Sequence, residues 1–277
     1  MTVALDFDMI DGMFPSVPIA TPVLVHDIAT KLACIPAAET LTTPLGRVRV
    51  VRDGTQIHYL PSVTTILSSE EPEGLRKWKQ RVGPKEAKRI VDLASKRGDC
   101  VHAASEKYYL SGKQSQLPSM PFEWKHLYAT LEKCLAQYDS LAVECDVIHL
   151  GWQCSGRFDH LVRTPGQNGV ELLDIKSKNK IDLSNVLDRY SSYWIQFVIY
   201  SEMLDSWGIH VDRVHLLMCS DLSFKHFTLS RKSPWWGHFL GQFHERRARY
   251  LDSDKWKRLV DYARAIVASQ PVLLSEF

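Results

Sequence analysis

Two aspartates and a lysine flank a turn in the middle of the chain. Asp159 ends the run G-R-F-D, and Asp174 and Lys176 lie in the run L-L-D-I-K. The segment between them, residues 164–169, is rich in turn-forming residues. If the two strands pair symmetrically about this turn, residues whose numbers sum to 333 face each other, and 159 + 174 = 333. Because side chains alternate along a strand, Lys176 shares the face of Asp174.

This pattern predicts a site for a divalent cation. Two carboxylates at cross-strand distance repel each other unless a cation lies between them. Mg²⁺ or Mn²⁺ with oxygen ligands meets that need, polarises a phosphoryl oxygen and lowers the pKa of bound water. Lys176 is then placed to orient the attacking water or to help deprotonate it. Phe158 and Ile175, which also sum to 333, are expected to oppose each other on the core face. The competing interpretation is a surface hairpin with an Asp–Lys salt bridge.

Two further pairs lie on predicted helices. His102 and Glu106 are four residues apart and therefore share a helix face. An imidazole can join carboxylates around Mg²⁺ or, more readily, Mn²⁺. Gln196 and Tyr200 share a helix face in the same way. The alternatives are a core-lining histidine for the first pair and an ordinary amphipathic helix with a polar rim for the second.

The elements that position these residues alternate between extended and helical patterns. Extended runs around Asp53-Gly54 predict an early hairpin, and Ser62 is a candidate helix N-cap. Helices are predicted over 74–82, 84–111, 123–140 and 192–207, and strands over 141–148, 152–162, 170–176, 211–218 and 224–229. A helical tail follows. The order predicts an α/β fold with a central mixed β-sheet flanked by helices.

Charge and cysteine usage narrow the classes of function. The net charge is only +2, yet nine Lys or Arg against two acids lie between Arg76 and Arg97. That stretch is either a solvated helix face or a phosphate-binding surface. The six cysteines form no C-x-x-C pair, which argues against a zinc ribbon or a clustered iron–sulfur site. No apolar run approaches a membrane span, and the first 30 residues lack Lys and Arg, so we expect a cytoplasmic protein without membrane contact.

Four motifs together resemble a known nuclease family. In order they are R-G-x-x-x-H-x-x-x-E, G-R-F-D, L-D-I-K-S and Q-x-x-x-Y, and they resemble the RecB-like branch of the PD-(D/E)XK nuclease superfamily. The run P-S-V-T-x-I-L at 61–67 is similar to the mitochondrial genome maintenance exonuclease group and its phage and bacterial relatives. The resemblance covers about residues 58–205. It implies a restriction-endonuclease-like core within 44–277, with 1–43 as an N-terminal arm or accessory element.

The resemblance implies roles for the matching residues. His102, Asp159 and Asp174 would bind Mg²⁺ or Mn²⁺, with the backbone carbonyl of Ile175 completing the shell, and Lys176 would be the catalytic lysine. No iron–sulfur cluster is expected, because the clustered cysteines of the relatives that carry one are missing. The residues expected to contact DNA, including those of the basic stretch, are Gln196, Tyr200, Ser177, Arg97, Arg76, Lys77 and Lys79.

Two acids and one departure complete the comparison with the family. Glu106 matches a helix acid and is grouped with the catalytic residues. Glu144 matches a strand acid ahead of the hairpin and is expected to be structural. Phe158 replaces the proline of the family's name, as in many members.

The leading hypothesis is an exonuclease acting on DNA that is single-stranded or has free ends. The alternatives are an endonuclease on the same fold, a non-catalytic DNA-binding module and a small-molecule metallohydrolase. An intact set of Asp159, Asp174 and Lys176 counts against the non-catalytic module. The basic stretch favours a long anionic polymer over a small molecule, as do the aromatic residues near it, which are Trp78, Tyr108 and Tyr109. The oligomeric state stays open.

Overall fold

Two β-sheets form the framework of the chain in a computed structural model, which describes residues 22–112, 121–220 and 223–269. The strands are β1 (Ala38–Thr43), β2 (Gly46–Asp53), β3 (Gln56–Leu60), β4 (Asp139–His149), β5 (Cys154–Arg163), β6 (Val170–Ser177), β7 (Val211–Cys219) and β8 (Phe224–Ser230). The helices are α1 (Pro22–Ala33), α2 (Val63–Ser68), α3 (Glu73–Val82), α4 (Pro84–Leu110), α5 (Lys125–Leu135), α6 (Val186–Arg189), α7 (Ser191–Asp205), α8 (Pro234–Asp252) and α9 (Asp254–Ser269).

The larger sheet is mixed and has the order β4-β5-β6-β7-β8. Neighbouring strands are antiparallel except β6 and β7, which are parallel because α6 and α7 return the chain between them. The predicted α/β class, with a central mixed sheet flanked by helices, is therefore confirmed. None of the helices in the described residues is both long enough and apolar enough to cross a bilayer.

The smaller sheet has the order β1-β2-β3 and includes the hairpin predicted around Asp53-Gly54. β1 pairs with β2 from Ala38 and Val51 to Thr43 and Gly46. The predicted division between 43 and 44 therefore falls in the turn between two paired strands. Residues 1–21 of the predicted arm lie outside the described residues.

The pairing of β5 with β6 confirms the register predicted from the turn. Its ladder runs from His160 and Leu173 to Val162 and Glu171, and each pair sums to 333. Among the described residues the ladder has no pair beyond His160 and Leu173 toward the start of β5. Asp159 therefore lies where the two strands separate.

Helices cover both faces of the larger sheet. Helix α7 packs on one face with Phe158 and Leu172, and α4 and α5 pack on the other with Leu173 and Ile175. Helix α8 packs on α7, and α9 packs on α8 and on the smaller sheet. The expectation that Phe158 and Ile175 oppose each other on one face is wrong. The reason is that the β5–β6 ladder has ended before Phe158 and that β5 changes face at this point.

Strands β4 and β5 change face together. Val143 packs in the α4–α5 layer, whereas Cys145 packs in the α7 layer. Glu144, between them, has φ +52°, in the left-handed region that residues other than glycine rarely adopt. In β5, Phe158 likewise packs in the α7 layer, and His160 faces α4. The side chains of Glu144 and Asp159, at the positions where the strands change face, therefore lie between the α4–α5 layer and the α7 layer.

Candidate functional site

Three carboxylates lie side by side on three neighbouring strands. The β5–β6 ladder ends at His160 and Leu173, one residue short of Asp159 and Asp174, whose carboxyl groups lie within hydrogen-bonding reach of each other. The β4–β5 register, in which Cys145 pairs with Phe158, places Asp159 opposite Glu144 on its other side. Asp174 is 5% exposed and the Asp159 side chain 13%. The sheet therefore forms an acidic row, centred on Asp159, at the point where β6 leaves β5.

His102 reaches this row from α4. Its Nδ1 lies 3.0 Å from Oδ2 of Asp159. The same turn of α4 is fixed to β5, because the hydroxyl of Ser105 donates to the His102 carbonyl at 2.8 Å and contacts Nε2 of His160 at 2.9 Å. His160, which was not predicted as part of the site, therefore helps to position His102.

His102, Glu144 and Asp159 form a candidate metal site. Each offers one ligand atom, and the three atoms lie within 4.8 Å of one another. Oδ2 of Asp159 is buried, and Nδ1 of His102 lies 3.0 Å from it. Carboxylates gathered at such a position repel each other unless a cation lies between them. Two carboxylates and an imidazole are a suitable donor set for Mn²⁺ and, less readily, Mg²⁺, so these residues fit a divalent ion.

Asp174 lies beside this group and is held by Lys176. The Lys176 Nζ atom is 2.7 Å from Oδ1 and 2.6 Å from Oδ2 of Asp174. Asp174 and Asp159 are also close enough for their carboxyl groups to hydrogen-bond. Of the predicted ligand set, the structure thus brings His102 and Asp159 together with Glu144, and it sets Asp174 against the ammonium. The Ile175 side chain is fully buried in the α4–α5 layer.

Burial and mutual proximity shift the pKa values of the whole group. Burial by itself would raise the pKa of Asp159, but contacts with Asp174 and His102 hold it well below its usual range. Burial, followed by the charge of Asp159, raises the pKa values of Asp174 and Glu144. Burial would lower the pKa values of His102 and Lys176, but the neighbouring carboxylates raise both. Shifts of this kind are characteristic of functional sites. The protonated state of Lys176 favours charge stabilisation over the general-base role considered above.

Tyr200 closes the site from α7. It is 3% exposed, and the Gln196 amide lies 3.4 Å from its hydroxyl. Its ring packs on Gly156 so closely that a Cβ atom at position 156 would lie 2.2 Å from Cε1. Burial raises the pKa of Tyr200, with Asp159 adding to the effect. Gln196 and Tyr200 were predicted both to support the site and to contact DNA, and the burial of Tyr200 favours the first of these roles for its side chain.

The run at 61–67 occupies the edge of β5 that β6 leaves. The N–H of Ser155 donates to the carbonyl of Pro61 at 3.0 Å, and Ser62 and Ser155 form a parallel bridge. The predicted N-cap is confirmed, because the Thr65 N–H donates to Oγ of Ser62 at 3.0 Å. This segment therefore fixes β5 next to Gly156.

The remaining predicted residues divide into buried and exposed groups. Arg97 is 6% exposed and donates to Oδ1 of Asn179 at 2.7 Å, so it fixes the loop after β6. Ser177 ends β6 and is half-buried. Glu106, also half-buried, is near enough for its charge to raise the pKa of Glu144. Helix α3 carries the fully exposed set Arg76, Lys77 and Lys79.

Sequence reasoning missed an aromatic residue beside the site. The ring centroid of Tyr193 lies 5.5 Å from Nζ of Lys176 and 4.9 Å from Nζ of Lys178. Tyr193 precedes Gln196 by three residues and Tyr200 by seven, which is the spacing of a single helix face. That spacing was the signal that would have identified it.

Comparisons with known proteins add little. No family model matches the chain, and no curated protein matches it. A solved structure described as the crystal structure of SSO0001 aligns with 84% of this chain and 87% of its own, at 10% identity and a TM-score of 0.39. A likeness this distant carries no inference about function. The fold and the site define an α/β protein with a buried acidic centre suited to a divalent cation.

Proposed function

We propose that the protein is a metal-dependent DNA exonuclease of the PD-(D/E)XK type. The main support is the group formed by His102, Glu144 and Asp159, whose ligand atoms lie within 4.8 Å of one another. A bound Mg²⁺ or Mn²⁺ would polarise a phosphoryl oxygen and lower the pKa of bound water. The four sequence motifs support the choice of DNA as the substrate.

The chain's own residues supply the rest of the chemistry. Lys176 provides a positive charge beside the acidic row, where it can stabilise the negative charge that develops on a phosphoryl group. Asp174 holds that ammonium through both carboxylate oxygens. The buried Tyr200 ring packs behind the row and excludes water from that side. Glu144 and Asp159 supply the carboxylate ligands of the proposed metal site. The contacts of Ser105 with His160 fix the turn of α4 that carries the third ligand, His102.

The basic cluster of α3 and the start of α4 is the proposed DNA path. Its members are Arg76, Lys77, Lys79, Arg81, Lys85, Lys88 and Arg89. Within the described ranges, Arg76, Arg81 and Lys85 make no ion pair, and the others pair with nearby acids at exposed positions. Exposed pairs contribute only about 0–1 kcal/mol each, so a phosphate displaces the acid at little cost.

The length of α4 sets the distance between this path and the site. From Arg89 to His102 the helix rises about 20 Å, at roughly 1.5 Å per residue. At about 3.4 Å per nucleotide along a duplex, Arg89, the member of this cluster nearest to His102 along α4, would meet DNA about six nucleotides from the bond that is cut. We therefore expect duplexes shorter than about six base pairs to bind without the salt dependence that longer substrates show.

The test is digestion of 5′- and 3′-labelled linear DNA, single- and double-stranded, beside circular DNA, with Mg²⁺ or Mn²⁺. We expect release of labelled products from linear DNA and none from circular DNA. Asp159→Asn should abolish cleavage, while Asp252→Asn, an exposed acid at the end of α8, should leave it unchanged. Cleavage of circles would instead indicate an endonuclease. Binding without cleavage under any metal condition, or an Asp159→Asn variant with full activity, would overturn the proposal.

A further inference from the structure

A second polar cluster lies outside the acidic site, where the residue before β4 meets the β7–β8 hairpin. Tyr138 and His215 are 4% and 3% exposed, and His226 is half-buried on the edge strand β8. The Tyr138 hydroxyl oxygen lies 3.4 Å from Nδ1 of His215 and 3.2 Å from Nε2 of His226. The two ring nitrogens are 2.9 Å apart. Three donor atoms thus form a nearly equilateral triangle.

The three atoms hydrogen-bond one another when no ion is bound. The Tyr138 hydroxyl can donate to Nδ1 of His215 and accept the Nε2–H of His226, so each atom has a partner. A cation at the triangle would replace these hydrogen bonds, because each of the three atoms can instead direct a lone pair at it. The case for an ion therefore rests on the dimensions of the triangle and on the groups around it.

The triangle has the approximate dimensions of a face of a tetrahedral metal site. A point about 2.0 Å from all three atoms lies roughly 0.8 Å outside their plane, and 2.0–2.1 Å is the Zn–N distance found in proteins. Two imidazoles favour Zn²⁺, Cu²⁺ or Ni²⁺ over Mg²⁺ and Ca²⁺. The partial exposure of His226 gives an ion a route from the surface and leaves room for water as a fourth ligand.

Glu171 lies where an outer partner of a metal-bound histidine is found. Its Oε2 is 3.2 Å from Nε2 of His215, the ring nitrogen that does not face the triangle. The Thr164 hydroxyl donates to the same carboxylate oxygen at 2.6 Å, and Glu171 is 2% exposed. A carboxylate that accepts the second N–H of a histidine orients the ring and makes the ligating nitrogen more basic.

We propose that Tyr138, His215 and His226 bind a late transition-metal ion of the Zn²⁺ class, with Glu171 as the outer partner of His215. The ion ties the segment after α5 to the β7–β8 hairpin and is therefore structural. This site shares no residue with the acidic row, so it stands or falls independently of the proposed nuclease activity.

The experiment counts Zn²⁺ by calorimetric titration of the full chain. The wild type should bind two ions, one in each site. His226→Gln and His102→Gln should each lose one, and the double variant should lose both. His210→Gln, an exposed histidine beside Asp205 and Asp212, is the matched control and should retain two. Glu171→Gln should weaken the second site about 10–100-fold. If His226→Gln retains both ions with unchanged affinity, the proposal is wrong.

X-ray absorption on the His102→Gln protein with one equivalent of Zn²⁺ decides the matter without altering the proposed ligands. We expect scattering from two imidazoles and a first shell of nitrogen and oxygen at about 2.0–2.1 Å. A spectrum with one imidazole or none would overturn the proposal. This second measurement also covers the case in which His226→Gln fails to fold.

Discussion

Replacement of Gly156 by alanine tests the packing behind the acidic row. An added Cβ would lie 2.2 Å from Cε1, 2.8 Å from Cζ and 3.0 Å from the hydroxyl oxygen of Tyr200. The ring has little room to move, because Tyr200 is 3% exposed and lies within the α7 layer of the core. To restore ordinary contact, ring and strand must separate by about 1 Å, and overpacking of this kind costs typically about 1–3 kcal/mol.

We expect the upper end of that range, because the clash involves two ring carbons at once. A loss of about 3 kcal/mol lowers the Tm of a chain of this size by roughly 6–12 °C. Nuclease activity should also fall, since the displaced strand carries Asp159 three residues further on. Gly241→Ala is the matched control: no atom lies within 4 Å of its added Cβ, and the residue is exposed in α8. That change should stabilise the protein by about 0.5–1 kcal/mol.

Urea unfolding of a double-mutant cycle measures the clash directly. Tyr200→Ala alone should cost about 3–5 kcal/mol, as for other large buried aromatic residues. Gly156→Ala combined with Tyr200→Ala should cost no more than Tyr200→Ala alone, because the atom that clashes is gone. The coupling free energy should then be about −3 kcal/mol, well beyond the 0.3–0.5 kcal/mol scatter of roughly independent sites. Additive costs would refute the reasoning.

Three further predictions concern strain, pH and thiol reactivity. Glu144→Gly should raise stability by about 1 kcal/mol, since it relieves a left-handed backbone, while calorimetry should show weaker Mn²⁺ binding. Burial lowers the pKa of His149, so the unfolded chain holds that proton more tightly and stability is lost as the pH falls below about 6.5; unfolding of His149→Gln should depend less on pH there. Burial raises the pKa of Cys154 to about 12, so mass spectrometry after iodoacetamide at pH 8 should find exposed Cys34 modified and Cys154 intact.

The turn at 164–169 made the central hairpin predictable from sequence. A short turn fixes the register of the strands that it joins, and this register brings Asp159 and Asp174 to the end of the observed β5–β6 ladder, one residue beyond its last pair. The same arithmetic applied to the turn at 150–153 would have placed Glu144 beside Asp159. Glu144 was instead expected to be structural, because it matches a strand acid of the family that it resembles. Its left-handed φ could not be predicted, since residues other than glycine rarely adopt that conformation.

The other differences between the predicted and the observed structure arise from tertiary packing, which the spacing of residues in the sequence does not encode. The helix predicted over 123–140 ends at Leu135, because the chain enters β4 at Asp139 and pairs with Arg163. Arg97 belongs to the basic stretch in sequence, yet the helix turns it inward onto Asn179. Charge patterns report which residues are basic but not which helix face is covered. The cluster around Tyr138 and His226 joins residues 88 positions apart, a proximity that only the tertiary fold creates.

The acidic row lies where the hydrogen bonding between β5 and β6 ends. Beyond His160 the β5–β6 ladder is not continued within the described residues, and the carbonyl of Pro61 takes over at Ser155. The separation opens the space into which Asp159, Asp174 and the helix-borne His102 project. Carboxylates gathered in this space repel one another, and Lys176 offsets only part of their charge. If a divalent ion supplies the rest of the positive charge, Mn²⁺ should raise the free energy of unfolding of the wild type, because the ion binds the folded state through the Asp159 carboxylate. Mn²⁺ should raise the free energy of unfolding of Asp159→Asn far less, because that variant lacks the carboxylate.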